Sequence, residues 1–283
     1  MILRTEEINQ RRVFHKSRIC RLLTAFAALT ILSLLIIAAS GTDENPPGLN
    51  ALWVIKENAI NINGQTDTSE NRVSVTMMAN LVKYYDTAMA RMFIFNMESE
   101  KFWLVKYRSG TIAEGTFDDL KNLFAERRKK KQTELKNMEN SQQNLSGIAL
   151  ERRRTHIEYQ KQILKFDGER FRDRPSQEQP AEINGHKSAP VNVFAGKNKI
   201  ATIWIALDVV PSKWWKDFND LMADIEPERW KIISAAQKIP LKVIVDYGKV
   251  DITWEPLRVD AGPVSVNDFI LPEDYSFTQP SID

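Results

Sequence analysis

Few residues in this sequence have the types and spacing that chemistry demands. The histidines His15, His156 and His186 are scattered, and none belongs to a metal-spaced pair. Cys20 is the single cysteine, so no internal disulfide can form and the common Cys/His zinc sites are out of reach. Gly110 and Gly115 read as turns, because they lack the lysine and hydroxyl residue of a phosphate-cradling loop. No Gly-x-Ser-x-Gly elbow occurs. Carboxylates recur at Asp118, Asp119, Asp217, Asp220 and Asp224, but they are spaced along the wet faces of helices rather than as a facing acid and base. The expectation is a protein that is not an enzyme and uses no metal or cofactor.

Binding chemistry is better represented. Arg127, Arg128, Lys129, Lys130 and Lys131 are five consecutive cations, and Arg152, Arg153 and Arg154 are three more. Such runs suit anionic lipid headgroups or an acidic partner helix; they also suit an ordinary solvated helix face. The 283-residue chain has 39 basic and 37 acidic residues, a net charge of +2, which argues against a nucleic-acid binder. A hydrophobic fraction of 43% with 11 Gly and 12 Pro excludes collagen and a disordered chain.

That small net charge is unevenly placed. Residues 1–21 hold Arg4, Arg11, Arg12, Lys16, Arg18 and Arg21 against Glu6 and Glu7, and residues 22–40 are uncharged and apolar. At about 1.5 Å per residue a helix over 22–40 just crosses a hydrocarbon core of roughly 30 Å. The basic flank places the tail in the cytoplasm and the rest outside it. The competing reading is a signal peptide cleaved near Ala38-Ala39-Ser40; the long tail and long apolar run favour a retained anchor. Cys20 precedes the run, so it reads as an unpaired thiol or a palmitoylation site rather than a lipoprotein acylation site. In a bacterium, the expectation is a single-pass inner-membrane protein with a periplasmic domain.

The elements follow from periodicity. A linker over 41–49 precedes strand-like runs at 52–62 and 72–78, the second alternating with Val73, Val75 and Met77 on one face. Residues 92–97 and 102–107 read as a hairpin, with a further strand at 111–116. Residues 117–166 are dense in Glu, Lys, Arg and Gln and read as one or two charged helices, broken near 140–147. Residues 171–181 read as a loop. Strands resume at 190–194 and 199–207 around an Ala-Gly-Lys-Asn turn. Residues 211–238 read as two helices, with Ser212 capping the first and Pro227 opening the second. Trp214, Phe218, Leu221, Met222 and Ile225 form the expected buried stripe, which leaves Trp215 free for a membrane surface. A last hairpin turns at Tyr247-Gly248. Successive hairpins imply antiparallel pairing. The fold class is therefore α+β: one exported domain over 50–275 with a helical insertion at 117–166, a polar tail at 276–283, and no internal repeat.

The order of landmarks resembles the bacterial lipoprotein-carrier superfamily of LolA/LolB-like half-barrels. The residues concerned are Asn71-Arg72-Val73, Phe93-Ile94-Phe95 with Phe102-Trp103-Leu104, Ile183-Asn184-Gly185-His186-Lys187, the IATIWIAL run at 200–207 followed by Pro211, and the closing Phe269-Ile270-Leu271-Pro272-Glu273-Asp274-Tyr275. The likeness covers 50–116 and 180–275; the insertion and the anchor have no counterpart. It implies a curved antiparallel half-barrel with helices packed on its open side and an apolar cavity between them. Lining candidates for a lipid or lipoprotein acyl chain are then Trp53, Phe93, Phe95, Trp103, Trp204 and Trp254, facing Trp214, Phe218 and Trp230. Buried methylenes are worth about 0.8 kcal/mol each in such a site. The same aromatics suit an ordinary packed core. The resulting expectation is a membrane-anchored lipid- or lipoprotein-binding module of the cell envelope, with a scaffold or interaction protein acting through the insertion as the alternative.

Overall fold

The computed structural model describes residues 47–60, 65–165, 170–246 and 250–281. The basic tail, Cys20, His15, the apolar run at 22–40 and the Tyr247-Gly248 turn lie outside the described residues. Among those described, no helix is long and apolar enough to cross a membrane.

The described chain is α+β, with a large open curved sheet and four helices. The strands are β1 (Pro47–Ile60), β2 (Thr66–Met78), β3 (Leu81–Asp86), β4 (Arg91–Asn96), β5 (Lys101–Lys106) and β6 (Thr111–Thr116), then β7 (Phe171–Pro175), β8 (Ala181–Ile183), β9 (His186–Ala195) and β10 (Asn198–Ala206), and finally β11 (Pro240–Asp246), β12 (Val250–Pro263) and β13 (Ser276–Thr278). They form one sheet in the order β13-β6-β5-β4-β3-β2-β1-β12-β11-β10-β9-β7, with β8 also on β9. The pairings are antiparallel, as the hairpin pattern implies, except that β13 runs parallel to β6. The helices are α1 (Phe117–Ser141), α2 (Gly147–Lys165), α3 (Trp214–Ile225) and α4 (Pro227–Ala236).

The segment from β3 to β6 is a meander with a ten-residue period that sequence reading missed. Its strands begin at Leu81, Arg91, Lys101 and Thr111. Ala90, Glu100 and Gly110 close the turns at φ 50°, 53° and 61°. Two of the turns are built alike: Asp86 Oδ1 accepts from the Ala88 and Met89 amides, and Asn96 Oδ1 from those of Glu98 and Ser99. These are Asx turns, in which a short side chain stands in for a backbone acceptor. The repeat lies in turn geometry, so apolar spacing alone does not reveal it. β3 was left unassigned for a related reason: its outward Lys83 and Tyr85 and its inward Tyr84 blur the apolar alternation.

Residues 171–181, expected as a loop, contain β7 and the first residue of β8. Both lie at the sheet's margin, where backbone pairing with β9 suffices and polar side chains face water. Pro175 ends β7, as an edge position permits.

The helices follow local signals. At the start of α1, the Thr116 hydroxyl accepts from the Asp119 amide while the Asp119 carboxylate accepts from Thr116 N–H, a reciprocal capping box. The Thr116 backbone amide and then its hydroxyl hold the Asp119 carboxyl below its ordinary pKa. The break between α1 and α2 comes at a 3-10 turn over Gln142–Asn144, as expected. Pro227 opens α4, where its missing N–H costs nothing.

The sheet has two buried faces. The inner face carries α3 and α4 and meets Phe117, Leu120 and Phe124 at the base of α1. On the outer face of the meander, Ile94, Trp103, Val105 and Ile112 are buried. The C-terminal strand segment covers that side: Lys83 donates to the Asp268 carbonyl, Tyr107 meets Tyr275 edge-on at 6.3 Å, and Lys106 reaches the Ser281 hydroxyl at 2.8 Å.

Gly48 sits where β1 meets this wrapping segment. A Cβ there would stand 2.3 Å from Val264 Cγ2 and 2.7 Å from the Met77 carbonyl oxygen. Gly48→Ala is expected to destabilise the domain by about 1–3 kcal/mol, since backbone must move to admit it. A denaturant midpoint lowered at constant m-value would record this.

Candidate functional site

Strand alternation brings Trp53, Tyr84, Phe93, Phe95 and Trp254 to the inner face, opposite Trp215, Phe218 and Trp230 of the helix pair. Phe218 is the hub, with ring centroids at 5.2 Å to Trp230, 5.8 Å to Phe95, 6.0 Å to Trp215 and 6.5 Å to Tyr84. Trp230 continues the chain to Trp254 at 6.1 Å, and Trp254 to Trp53 at 6.2 Å. Trp53 Nε1 donates to the Pro240 carbonyl at 2.9 Å. Six of the nine aromatics expected to line a lipid cavity therefore come together: Trp53, Phe93, Phe95, Phe218, Trp230 and Trp254. They touch one another, and each such pair adds about 0.5–1.5 kcal/mol beyond its buried area.

The other three lie elsewhere. Trp103 is buried on the outer face opposite Ile94, while its neighbours Phe102 and Leu104 belong to the inner core. Both faces of β5 are buried, so alternation could not assign them. Trp204 is half-buried beside Lys242, whose ammonium lies 5.3 Å from the ring, while Ile203 takes the core position. A bulge between Trp204 and Ile205 shifts the register there. In α3 the buried stripe runs through Trp215, Phe218, Met222 and Ile225. This corrects the assignment of Trp214 to the stripe and of Trp215 to the surface. Trp214 opens the helix half-buried, with Lys213 Nζ 4.6 Å above its ring. The Ser212 hydroxyl accepts from the Trp214 amide at 3.3 Å.

Among these rings are polar groups that no motif announced. Both side-chain amide atoms of Asn219 and the Trp215 indole N–H are buried without a hydrogen-bond partner among the described residues, while the Tyr84 hydroxyl and the Trp230 indole N–H have only a poorly aligned contact with each other. A buried polar atom left unmet costs about 1–3 kcal/mol. Burial first, and then the nearby charge of Glu226, hold the Tyr84 pKa well above its ordinary value, so the hydroxyl keeps its proton. Asn219 lies four residues after Trp215, on the stripe that faces the sheet, and the one-residue error in the phase of that stripe hid it.

At the edge of this cluster an ion pair between the half-buried Arg229 and the buried Asp86 ties α4 to β3. Arg229 Nη1 donates to Asp86 Oδ2 at 2.9 Å, and Asn71 Nδ2 donates to Asp86 Oδ1 at 2.9 Å. Burial opposes the charged guanidinium, but Glu226, Tyr84 and Asp86 outweigh it and raise the Arg229 pKa above its ordinary value. Asp86 is therefore both turn cap and counter-ion.

The expected cationic surface divides. Arg128 donates to the carbonyls of Asp224 and Ile225, at 2.9 and 3.3 Å, and so neutralises the C-terminal end of α3. Lys129, Lys130, Arg152 and Arg154 are exposed, and Arg127, Lys131 and Arg153 are half-exposed. Between α1 and α2 lies an open groove of about 640 Å³ lined by Met138, Leu145, Ile148, Ala149, Arg152, Arg153 and His156. Ile148 is 60% exposed there. Among the described residues of this distal half, Leu135 and Ile157 are buried, and Lys161 pairs with Glu139. No three His, Cys, Asp or Glu among the described residues are placed to hold a metal. His186 is a structural tie, with Nδ1 3.2 Å from Asp208 Oδ1 and Nε2 2.7 Å from the Val259 carbonyl oxygen.

Two substitutions separate these roles. Asp86→Ala is expected to lower stability by about 2–4 kcal/mol, because it strands Arg229 and uncaps a turn; Asp86→Asn, which keeps the cap, is expected to lose less. Tyr84→Phe is expected to lose no more than about 1 kcal/mol, since its hydroxyl has only a poorly aligned contact with the Trp230 indole N–H to lose. Urea titrations measure both.

No family model matches the sequence, and no curated protein matches it. Among solved structures it is similar to an uncharacterized conserved protein from Thermus thermophilus, at 8% identity and a TM-score of 0.36 over 89% of this chain and 99% of that one. It is similar to PNGF-II at 9% identity and a TM-score of 0.36, over 83% of this chain and 32% of that one. A LolA superfamily protein from Nitrosomonas europaea is similar at 8% identity and a TM-score of 0.29, over 84% of this chain and 96% of that one. Likenesses of this size carry neither activity nor ligand over to this chain.

Proposed function

We propose that the protein is a non-catalytic binding module of the cell envelope, and that its working surface is the α1–α2 pair. The observation that carries this reading is the groove at Met138, Leu145, Ile148 and Ala149, rimmed by Arg152, Arg153 and His156. An apolar floor with a cationic rim matches an amphipathic protein segment bearing acidic residues. The inner face of the sheet, by contrast, is occupied by its own rings. Anchorage through 22–40, with the domain outside the cytoplasm, belongs to the same proposal. It rests on the uncharged run and its basic flank.

A second reading is supported by the unpartnered polar atoms of Trp215 and Asn219 amid those rings. A lining of rings and hydrogen-bonding groups suits an amphiphile such as a lipid or lipoprotein acyl chain with its ester linkage. Entry requires α3 and α4 to move away from the sheet. Lipid extraction from the purified full chain, read by mass spectrometry, tests this reading; a lipid-free protein of full stability counts against it.

Removing the whole insertion would be a poor test of the first reading, because Leu120 and Phe124 belong to the core and Arg128 holds α3. The informative variant is Ile148→Glu with Arg152→Glu and Arg153→Glu. A photo-crosslinker at Ala149 is expected to trap an envelope protein in cells, and the triple variant to abolish that adduct at an unchanged melting temperature. Persistence of the adduct would reject the groove as the contact.

A further inference from the structure

The sheet ends at β7, with no described strand on its far side. Its pairing decides which backbone groups are left over. Just past the end of β7 the Ser176 amide donates to the Pro190 carbonyl at 3.2 Å, and the same register sets Arg174 opposite Asn192 and Arg172 opposite Phe194. Bonding alternates along an antiparallel pair, so the amides and carbonyls of Arg172 and Arg174 point toward β9. The N–H and C=O of Asp173 and the C=O of Pro175 point to the open side. Pro175 has no N–H to leave unmet there.

The side chains of this edge recur with a period of two. Arg170, Arg172 and Arg174 stand at every second position, all exposed, and Phe171 and Asp173 alternate with them. Phe171 packs against the core. Among the described residues none of the three arginines forms an ion pair. Their neighbours on β9 are Phe194 and Asn192, so that strand offers no carboxylate; the Arg174 guanidinium lies 4.9 Å from the Phe194 ring. Charge and proline commonly guard an edge strand. A guard needs no space beside it, yet a groove of about 550 Å³ opens between β7 and α4, lined by Phe171, Asp173, Lys231, Ser234 and Gln237. It leaves room on the inner side for the side chains of a further strand.

A second copy of this chain does not suit the edge, because a two-fold pairing of β7 with β7 sets arginine against arginine. A strand with carboxylates at every second position does. Added antiparallel, it bonds to Asp173 and leaves Arg172 and Arg174 in the unbonded rows, where opposite side chains stand closest. A carboxylate there meets a guanidinium through paired N–H groups. The stretches outside α1 and α2 are acidic in sum, so β7 is a local cationic patch in a repelling field. Its partner is selected at contact rather than steered from a distance.

We propose that β7 is a docking edge for an extended acidic segment of a partner protein, which joins the sheet as a further strand with its carboxylates opposite Arg170, Arg172 and Arg174. This surface is separate from the α1–α2 groove and does not depend on the reading given to that groove.

The test uses the purified full chain in nonionic detergent and two fluorescein-labelled peptides of one composition, Glu-Thr-Glu-Thr-Glu-Thr and Glu-Glu-Glu-Thr-Thr-Thr. Anisotropy reads binding, and hydrogen exchange reads the Asp173 amide. The alternating peptide is expected to bind at least about fivefold tighter than the blocked one and to slow exchange at Asp173. N-methylation of its threonine amides, which keeps the charge but removes the donors facing Asp173, is expected to abolish binding. Arg170→Glu, Arg172→Glu and Arg174→Glu together are expected to reject this peptide and accept Lys-Thr-Lys-Thr-Lys-Thr, at an unchanged circular-dichroism melt. Ile148→Glu with Arg152→Glu and Arg153→Glu is expected to leave the titration as it was. Equal binding of the alternating, blocked and methylated peptides makes the arginines a plain polyanion site and overturns strand addition. Absence of binding, or its loss in the groove variant, overturns the docking edge itself.

Discussion

The contact between Phe218 and Trp230 joins the two halves of the domain's interior. Through Phe218, α3 meets Phe95 and Tyr84 of the meander; through Trp230, α4 meets Trp254 on β12. A thirteen-stranded open sheet has a wide inner face, and without a cover that face would be wet. Two short helices suffice because their side chains there are the largest available. Large rings cover more sheet per residue of helix, at a low cost in side-chain entropy. The consequence is chemical as well as steric. Indole and phenol rings bring polar atoms with them, and a ring buried from all sides buries its N–H or O–H too. The orphaned indole N–H of Trp215 and the poorly aligned Tyr84–Trp230 contact follow from covering the sheet with rings in this way.

The same cover needs a lateral fastening, which the Asp86–Arg229 pair provides. Ring contacts are short-ranged but permissive in angle, so they hold α4 against the sheet without fixing its slide. A hydrogen-bonded ion pair between the start of α4 and the end of β3 fixes that slide. Arg128 does similar work close by, fastening α1 to the last carbonyls of α3. The inner layer is thus pinned at the junction of the helix pair by two arginines that reach across elements.

Much of this was legible in the sequence and some could not be. The hairpin at 92–97 and 102–107, the break between the charged helices and the proline that opens α4 were all read from local signals, and the structure has them. Trp214 and Trp215 show the limit: adjacent indoles differ by about 100° around a helix, so the assignment turns on a single residue of phase. Trp103 shows another, because a strand buried on both faces has no polar side by which to orient it. Trp204 falls beside a bulge, and bulges leave no mark in apolar spacing. Asp86 and Arg229 are 143 positions apart, and nothing local in either predicts the other.

Charge is distributed in a way that bears on how the domain meets other molecules. Between Phe117 and Lys165 there are twelve Lys and Arg against seven Asp and Glu, a net of +5. The flanking stretches 41–116 and 166–283 together hold twenty-one against twenty-eight, a net of −7. The chain is nearly neutral in sum and strongly divided in space, so an approaching acidic molecule is attracted by the helix pair and repelled by the rest. Over a Debye length of about 8 Å at physiological ionic strength, only the nearer pole is felt. Such a field selects an orientation of approach before any contact is made. Charge also bears on why α1 and α2 are sparsely packed: side chains that would be costly inside a core stay in water along both helices.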